Sequence, residues 1–467
     1  MIYMRRNEID KIAKINKVSY IIIIACFLVP LYVFLIISIF DKDKKISEKE
    51  NRTLSSLPKF SFSYLFKDDY TLDFETYYSD TFPLRDVFLT ANTKITALYT
   101  ATYQDKMSIV SITKSDDDFA GENLKSVVSA IVDKSDLSPP SKANTTEKIP
   151  ENTTSNTTNE PPLPEVDAPT NVQNQGGILI ADTRAMELYT NVESYLESYA
   201  DTISYLQSKV PGVQVFDLVA PTSVEFYSPD EYHTGSSSQK EGIKTLYSHL
   251  KNGAIGVDAY TEIRKHIDEY IYFRTDHHWT ARGAYYAYVA FSKVAGFDAA
   301  NINSLESGKL DGFVGTMYMY TQSEILNKNP DYVEYCLPKT KTTAMVYDNV
   351  SMTSGYEIPV ITTEIEGTGN KYLAFIQGDN PITHIKTSQK NGKKILVVKE
   401  SYGNSLVPFL CNDYEEVYVV DPRRIDMDLP KFVLENGIQQ ILCINYMFVP
   451  SNPTYMSAFK NIIGYVE

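Results

Sequence analysis

Two kinds of apolar pattern run along this chain. Residues 19–40 are almost all apolar and none carries a charge. About 20 such residues cross the core of a bilayer as a helix. From residue 176 onward the apolar positions instead come in short runs: Ile178-Leu179-Ile180, Val213 to Val219, Tyr372 to Ile376, Ile395 to Val398, Val417 to Val420 and Ile441 to Ile444. Helical patterns separate them at 186–209, 239–251, 258–268 and Ala281 to Ala295. Continuous apolar strands alternating with helices predict a three-layer α/β domain whose mostly parallel sheet is covered on both faces. In such sheets ligands sit at the carboxyl ends of the strands.

The same patterns divide the chain. Arg5, Arg6, Lys11, Lys14 and Lys17 precede the long apolar stretch. The positive-inside rule then makes residues 1–18 a cytoplasmic tail and 19–40 an N-terminal transmembrane helix. A cleaved signal peptide is the rival reading, but the stretch is long for one and no small-x-small cleavage site follows. Residues 41–114 are rich in Tyr and Phe and read as a helical segment packing on the main domain. From 115 to 175 the chain turns to Ser, Thr, Asn, Pro, Asp and Glu, including Asn152-Thr153-Thr154-Ser155-Asn156-Thr157-Thr158. Such a segment buries too little apolar surface to offset its ordering entropy, so a disordered insertion is expected there. Deleting it should leave Tm nearly unchanged, which a melting curve checks, because loop length affects stability weakly. Residues 176–467 form the α/β domain.

Net charge over the 467 residues is −15, which argues against nucleic acid as a partner. Cys26 falls in the apolar span, leaving Cys336, Cys411 and Cys443. An odd number allows at most one bridge, and buried free thiols are the expectation.

Candidate chemistry is concentrated in two places. Arg274-Thr275-Asp276-His277-His278-Trp279 holds two of the 6 histidines and the 1 tryptophan. A carboxylate beside an imidazole fixes the tautomer of a general base. Downstream, the apolar run Ile395–Val398 leads through Lys399 and Glu400 into Ser401-Tyr402-Gly403-Asn404. A strand that ends on a serine at a tight turn presents a nucleophilic hydroxyl. Each block alone has a plainer reading: an N-cap serine, or a capping aspartate beside a satisfied histidine. Asp276, His277 and His278 also have metal-ligand chemistry, although neighbouring histidines point in different directions and no third ligand cluster stands near them in sequence.

Together the two blocks resemble the DHHW family, which is related to alginate O-acetyltransferase accessory proteins with an SGNH-hydrolase-like domain. The family's T-D-x-H-W corresponds to Thr275, Asp276, His278 and Trp279. Its K-D-S-Y-x-N corresponds to Lys399, Glu400, Ser401, Tyr402 and Asn404, with Glu400 in place of the usual aspartate. Asn51-Arg52-Thr53-Leu54, Tyr77 to Arg85, Pro221-Thr222-Ser223 and Val420-Asp421-Pro422-Arg423 match as well. The resemblance implies a Ser401–His278–Asp276 triad, with His277 orienting the loop. It implies an oxyanion hole for which Gly378, Asn380 and Asn404 are candidates. Arg423, Trp279 and Tyr402 are candidates for substrate contacts, and Arg423 with Arg424 suits a sugar carboxylate or phosphate. The implied activity is extracytoplasmic O-acylation of polysaccharide hydroxyls, with a multi-pass membrane-bound acyltransferase as donor partner and no cofactor. An esterase with the same triad and a non-catalytic polysaccharide-binding protein are the two rivals.

Overall fold

A computed structural model describes residues 172–465 continuously, together with short segments between 28 and 85. The tail, most of the 19–40 span and residues 115–171 lie outside the described residues. Among the described residues no helix is long and apolar enough to cross a membrane. In the aromatic-rich segment, Tyr77 to Asp80 are helical, but Arg52–Thr53 pairs antiparallel with Ile46–Ser47 instead of joining a helix.

The expected insertion ends earlier than its composition suggests, so a deletion carried through residue 175 removes a paired strand, and the deletion expected to be neutral stops before Val172. β1 (Val172–Gln175) pairs with β2 (Ile178–Ala181), which pairs with β3 (Arg184–Glu187), all antiparallel. Asn174 and Gln175 look like linker residues, yet their backbones complete this small sheet. The helical pattern expected from 186 begins only at α1 (Glu193–Lys209), whose Leu196, Tyr199, Ile203 and Leu206 face the core.

Among the described residues the main sheet has eight strands. In chain order they are β4 (Gln214–Ala220), β5 (Ile255–Gly256), β8 (Thr342–Tyr347), β9 (Tyr356–Ile358), β10 (Ile382–Thr387), β11 (Lys394–Lys399), β12 (Glu416–Val420) and β13 (Gln440–Tyr446). Between β5 and β8 the chain makes a hairpin of β6 (Ser307–Phe313) and β7 (Asp331–Cys336). Across the sheet the order is β9-β8-β10-β12-β11-β13-β4-β5. The half from β12 to β5 is parallel and carries the apolar runs visible in the sequence. The half from β9 to β12 is antiparallel. Its strands alternate more and include polar residues such as Thr342, Lys386 and Thr383, so no continuous apolar run announces them.

The remaining expected strand, Tyr372 to Ile376, is a 3₁₀ turn at Lys371–Ala374. Its apolar side chains fill a satellite core with Phe273, Phe313 and Val333 rather than pairing in a sheet. After it, Ile376, Gln377 and Gly378 all take positive φ (46°, 54° and 89°), which no strand accommodates. Helices match their patterns better: α2 (Gln239–Ser248), α3 (Ala259–Arg264) and α4 (Ala281–Ala295). Thr280 caps α4 by accepting from the Gly283 amide. Cys336, Cys411 and Cys443 are free and buried.

Candidate active site

The Arg274–Trp279 block is held as a closed loop from three directions. Tyr272 and Trp279 form an antiparallel bridge at its neck. The Arg184 guanidinium on β3 donates to the Tyr272 and Phe273 carbonyls at 3.3 and 3.1 Å. Asp331, opening β7, accepts from the Arg274 amide (2.9 Å), the Thr275 amide (2.7 Å) and Thr275 Oγ1 (2.7 Å). A buried carboxylate taking several donors at once fixes the backbone on which Asp276 and His278 sit.

Within the loop, His278 Nδ1 lies 2.6 Å from Asp276 Oδ1, and His278 Nε2 lies 2.8 Å from Ser401 Oγ. All three side chains are buried. The other Asp276 oxygen accepts from the Thr316 amide (2.8 Å) and Thr316 Oγ1 (2.9 Å), at the start of α5 (Thr316–Thr321). An ionised carboxylate only accepts, so the His278 proton sits on Nδ1 and Nε2 is left to accept from Ser401. Burial works against charge on Asp276. The His278 and His277 imidazoles, with the His278 and Thr316 hydrogen bonds, overcome it and hold the carboxyl well below the usual range.

Ser401 stands just past β11, at the carboxyl end of the parallel half of the sheet, and opens a 3₁₀ turn over Ser401–Ser405. The cap is Glu400 rather than Ser401: its Oε2 accepts from the Tyr402 amide at 3.0 Å and its Oε1 from the Tyr446 amide at 3.1 Å. The turn is stitched to the histidine loop. Trp279 Nε1 donates to the Tyr402 carbonyl at 3.0 Å, and the Tyr402 hydroxyl donates to the His277 carbonyl. The Tyr372 hydroxyl donates to the Ser401 carbonyl at 3.0 Å, while its ring stacks on His278 at 3.9 Å. Gly403 has an ordinary negative φ; smallness is what counts there, because a Cβ would stand 2.6 Å from Lys399 Cβ.

Gly315 is tighter still. A Cβ on it would meet Asp276 Cβ and Oδ2 at 2.3 Å. Gly315→Ala therefore pushes the carboxylate off His278, and a displacement near 1 Å costs about 10²-fold in rate. Ester-cleavage kinetics beside a melting curve test this; a rate within twofold of the parent in a folded variant would count against it.

Several residues expected to contact substrate or an oxyanion have other partners in this structure. Trp279 and Tyr402 are 0% exposed and tie loop to turn, so neither is placed to touch substrate. The Gly378 amide donates to the Phe375 carbonyl at 3.0 Å, the Asn380 amide group to Ile376 O at 2.9 Å, and the Asn404 amide group to Asp379 Oδ1 at 3.0 Å. Local turn bonds thus take Gly378 and Asn380, while Asn404 gives one amide N–H to the distant Asp379. Arg423 lines the cleft beside Ser401 but already holds Asp379 at 2.8 Å and Asp421 at 2.7 Å, which leaves it poorly suited to a sugar carboxylate. Asp276, His277 and His278 do gather their ligand atoms within 4.8 Å of one another. Both nitrogens of His278 are engaged, and His277 Nδ1 lies 2.6 Å from Thr316 Oγ1, so a metal ion would have to displace those partners. Thr316, Asp331 and Tyr372 escape sequence reading, since a threonine after a glycine or an aspartate opening a strand carries no chemical signature.

A small cleft lies over Ser401, and Glu187, His277, Glu400, Arg423 and Tyr446 are among its walls. Ser401, His278 and Asp276 thus form a hydrogen-bonded row at the strand ends of an α/β sheet, a geometry that can activate a serine hydroxyl. The chain belongs to the DHHW family: the family model for DHHW proteins matches residues 50–420. It is similar to a DHHW family protein from Eubacterium siraeum, with 32% identity and a TM-score of 0.58 over 62% of this chain and 97% of that one. Weaker similarity extends to Bacillus cereus PatB1 with a sulfonyl adduct (17%, TM-score 0.49, 61% and 98% covered). The O-acetyltransferase domain of Pseudomonas putida AlgJ is weaker again (13%, TM-score 0.35, 62% and 98% covered). No curated protein matches the chain.

Proposed function

We propose that this protein is an O-acyltransferase, in which Ser401 carries the acyl group, His278 moves the protons and Asp276 orients His278. The observation that carries the reading is the continuous row Asp276–His278–Ser401, at 2.6 and 2.8 Å, opening on a polar cleft. In the first half-reaction Ser401 Oγ bonds to the acyl carbon, its proton passes to His278 Nε2, and the bond to the leaving group breaks as His278 returns that proton to it. In the second, an acceptor hydroxyl gives its proton to His278 and takes the acyl carbon, and Ser401 Oγ recovers the proton. Asp276 stabilises the imidazolium both times.

The proposed acceptor is a hydroxyl of a cell-surface or secreted polysaccharide, and the acyl group is acetyl. Residues 19–40 anchor the protein with its α/β domain outside the cytoplasm, beside a multi-pass acyltransferase that delivers the acyl group. The uncharged span and the five cations before it support the anchor. Full-length protein in detergent, given p-nitrophenyl acetate, is expected to show acetyl on Ser401 by mass spectrometry and to pass it to an added oligosaccharide. Turnover with water unaffected by any glycan would make it an esterase. No acyl-Ser401 on a folded protein would sink the reading.

A further inference from the structure

The hydroxyl of Ser401 has a second suitor. Besides His278 Nε2 at 2.8 Å, Ser401 Oγ lies 3.2 Å from Glu400 Oε2. A hydroxyl has one proton, so it cannot donate to both. Glu400 is 3% exposed, and its two oxygens are already fixed by the Tyr402 and Tyr446 amides, so the carboxyl cannot swing away from the serine. We infer that Glu400 is a positioning residue whose ionised form draws the Ser401 proton away from His278 and whose protonated form donates to Ser401 Oγ and leaves that proton to His278. This rests on the proposed nucleophilic role of Ser401.

The surroundings let this carboxyl exist in both forms near neutrality. Burial pushes it up to about 7 against the pull of the Tyr402 amide and the Arg423 charge. The titratable groups around it include Arg423, beyond β12, and Asp379, on the 376–380 loop; Glu187, ending β3, and His277 line the same cleft. Arg423 is shared with Asp379 and Asp421, so its charge is largely spent on them. Phenols of Tyr372, Tyr402 and Tyr455 complete the surroundings, and burial keeps each protonated. His278 faces Glu400 across Ser401 itself.

The sign follows. An ionised Glu400 competes for the proton and repels the oxyanion growing at the acyl carbon; both effects slow acylation as pH rises. A glutamine is close in size and cannot ionise; its NH2 offers Ser401 Oγ a donor but gives up the acceptor that Oε2 provides to the Tyr402 amide, so a melting curve accompanies the kinetics. In burst kinetics with p-nitrophenyl acetate on the full-length protein, the wild-type acylation rate is expected to rise as His278 loses its proton and then fall. E400Q is expected to rise and stay level, exceeding the parent by about fivefold at the alkaline end, the worth of one hydrogen bond. A second measurement does not need activity: the ¹³C titration of the Glu400 carboxyl, assigned by its absence in E400Q, compared between wild type and S401A. Loss of a proton donated to the ionised carboxylate should move that titration to higher pH. Superimposable pH profiles for E400Q and wild type, or a Glu400 titration unmoved by S401A, overturns the inference. If wild type forms no acyl-Ser401 yet S401A still moves Glu400, the acyltransferase reading fails and the proton arrangement stands.

Discussion

Ser401→Ala is expected to abolish acyl-enzyme formation, and His278→Ala to lower the acylation rate by about 10³-fold or more. The reason is geometric. Nε2 of His278 stands 2.8 Å from Oγ, so the base takes the proton as the new bond forms, and alanine leaves an unactivated hydroxyl. Asp276→Asn is the more instructive change. It preserves shape, but an amide can present its nitrogen to Nδ1 and so favour the tautomer with its proton on Nε2. That tautomer cannot accept from Ser401, and a loss of about 10³–10⁴-fold follows. Combining Asp276→Asn with His278→Ala should cost little beyond the single histidine change, because the two act as one unit. Single-turnover rates with an activated acetyl ester measure all four variants; additive losses would mean that Asp276 and His278 do not act together.

Why the parallel half of the sheet and the two chemical blocks are legible in the sequence, while the rest is not, has a physical basis. Runs such as Ile395–Val398 are buried on both faces, so hydrophobicity alone marks them. β8 and β10 carry Thr342, Thr343 and Lys386 because part of each strand meets solvent, and their composition approaches that of a loop. The 3₁₀ turn at Lys371–Ala374 reads as a strand because a buried turn uses the same Tyr372, Ala374 and Phe375 that a buried strand would, with the exposed Leu373 adding to the apolar run. Asp276, His278 and Ser401 stand out only because the two blocks occur in one chain, since each block alone reads equally well as a capping residue. Gly378, Asn380 and Asn404 attract attention as well, but amide and glycine groups serve turns and loop contacts as readily as oxyanions; here a turn engages Gly378 and Asn380, and Asn404 donates to Asp379. Nothing local distinguishes Asp331, whose importance lies entirely in the distant amides it collects.

Asp379→Ala is expected to cost about 3–5 kcal/mol of stability, more than any change confined to the triad. Asp379 sits on the strained 376–380 loop and joins three elements. Lys399 Nζ, ending β11, lies 2.5 Å away; Arg423, after β12, lies 2.8 Å away; and Asn404, in the Ser401 turn, donates at 3.0 Å. Burial opposes charge on Asp379, but Lys399 and Arg423 overcome it and hold the carboxyl well below its usual range. Lys399 is the critical partner, because its side chain is 0% exposed and water cannot replace the carboxylate. Arg423 retains Asp421, so the loss falls chiefly on the lysine. An uncompensated buried ammonium is the costly outcome; an apolar replacement of the pair is often tolerated. Lys399→Met in the Asp379→Ala background should therefore recover part of the loss, which no model based on the carboxylate alone would give. Urea unfolding at constant m-value resolves these differences, and Tm should fall by roughly 10 °C for the single variant. A loss under about 1 kcal/mol, or a double variant weaker than Asp379→Ala, would show that Lys399 reaches another acceptor and that the loop is held by its packing. Since Asn404 and Lys399 flank Ser401 in sequence, the same variant should also loosen the nucleophile, and acylation should weaken below the unfolding temperature.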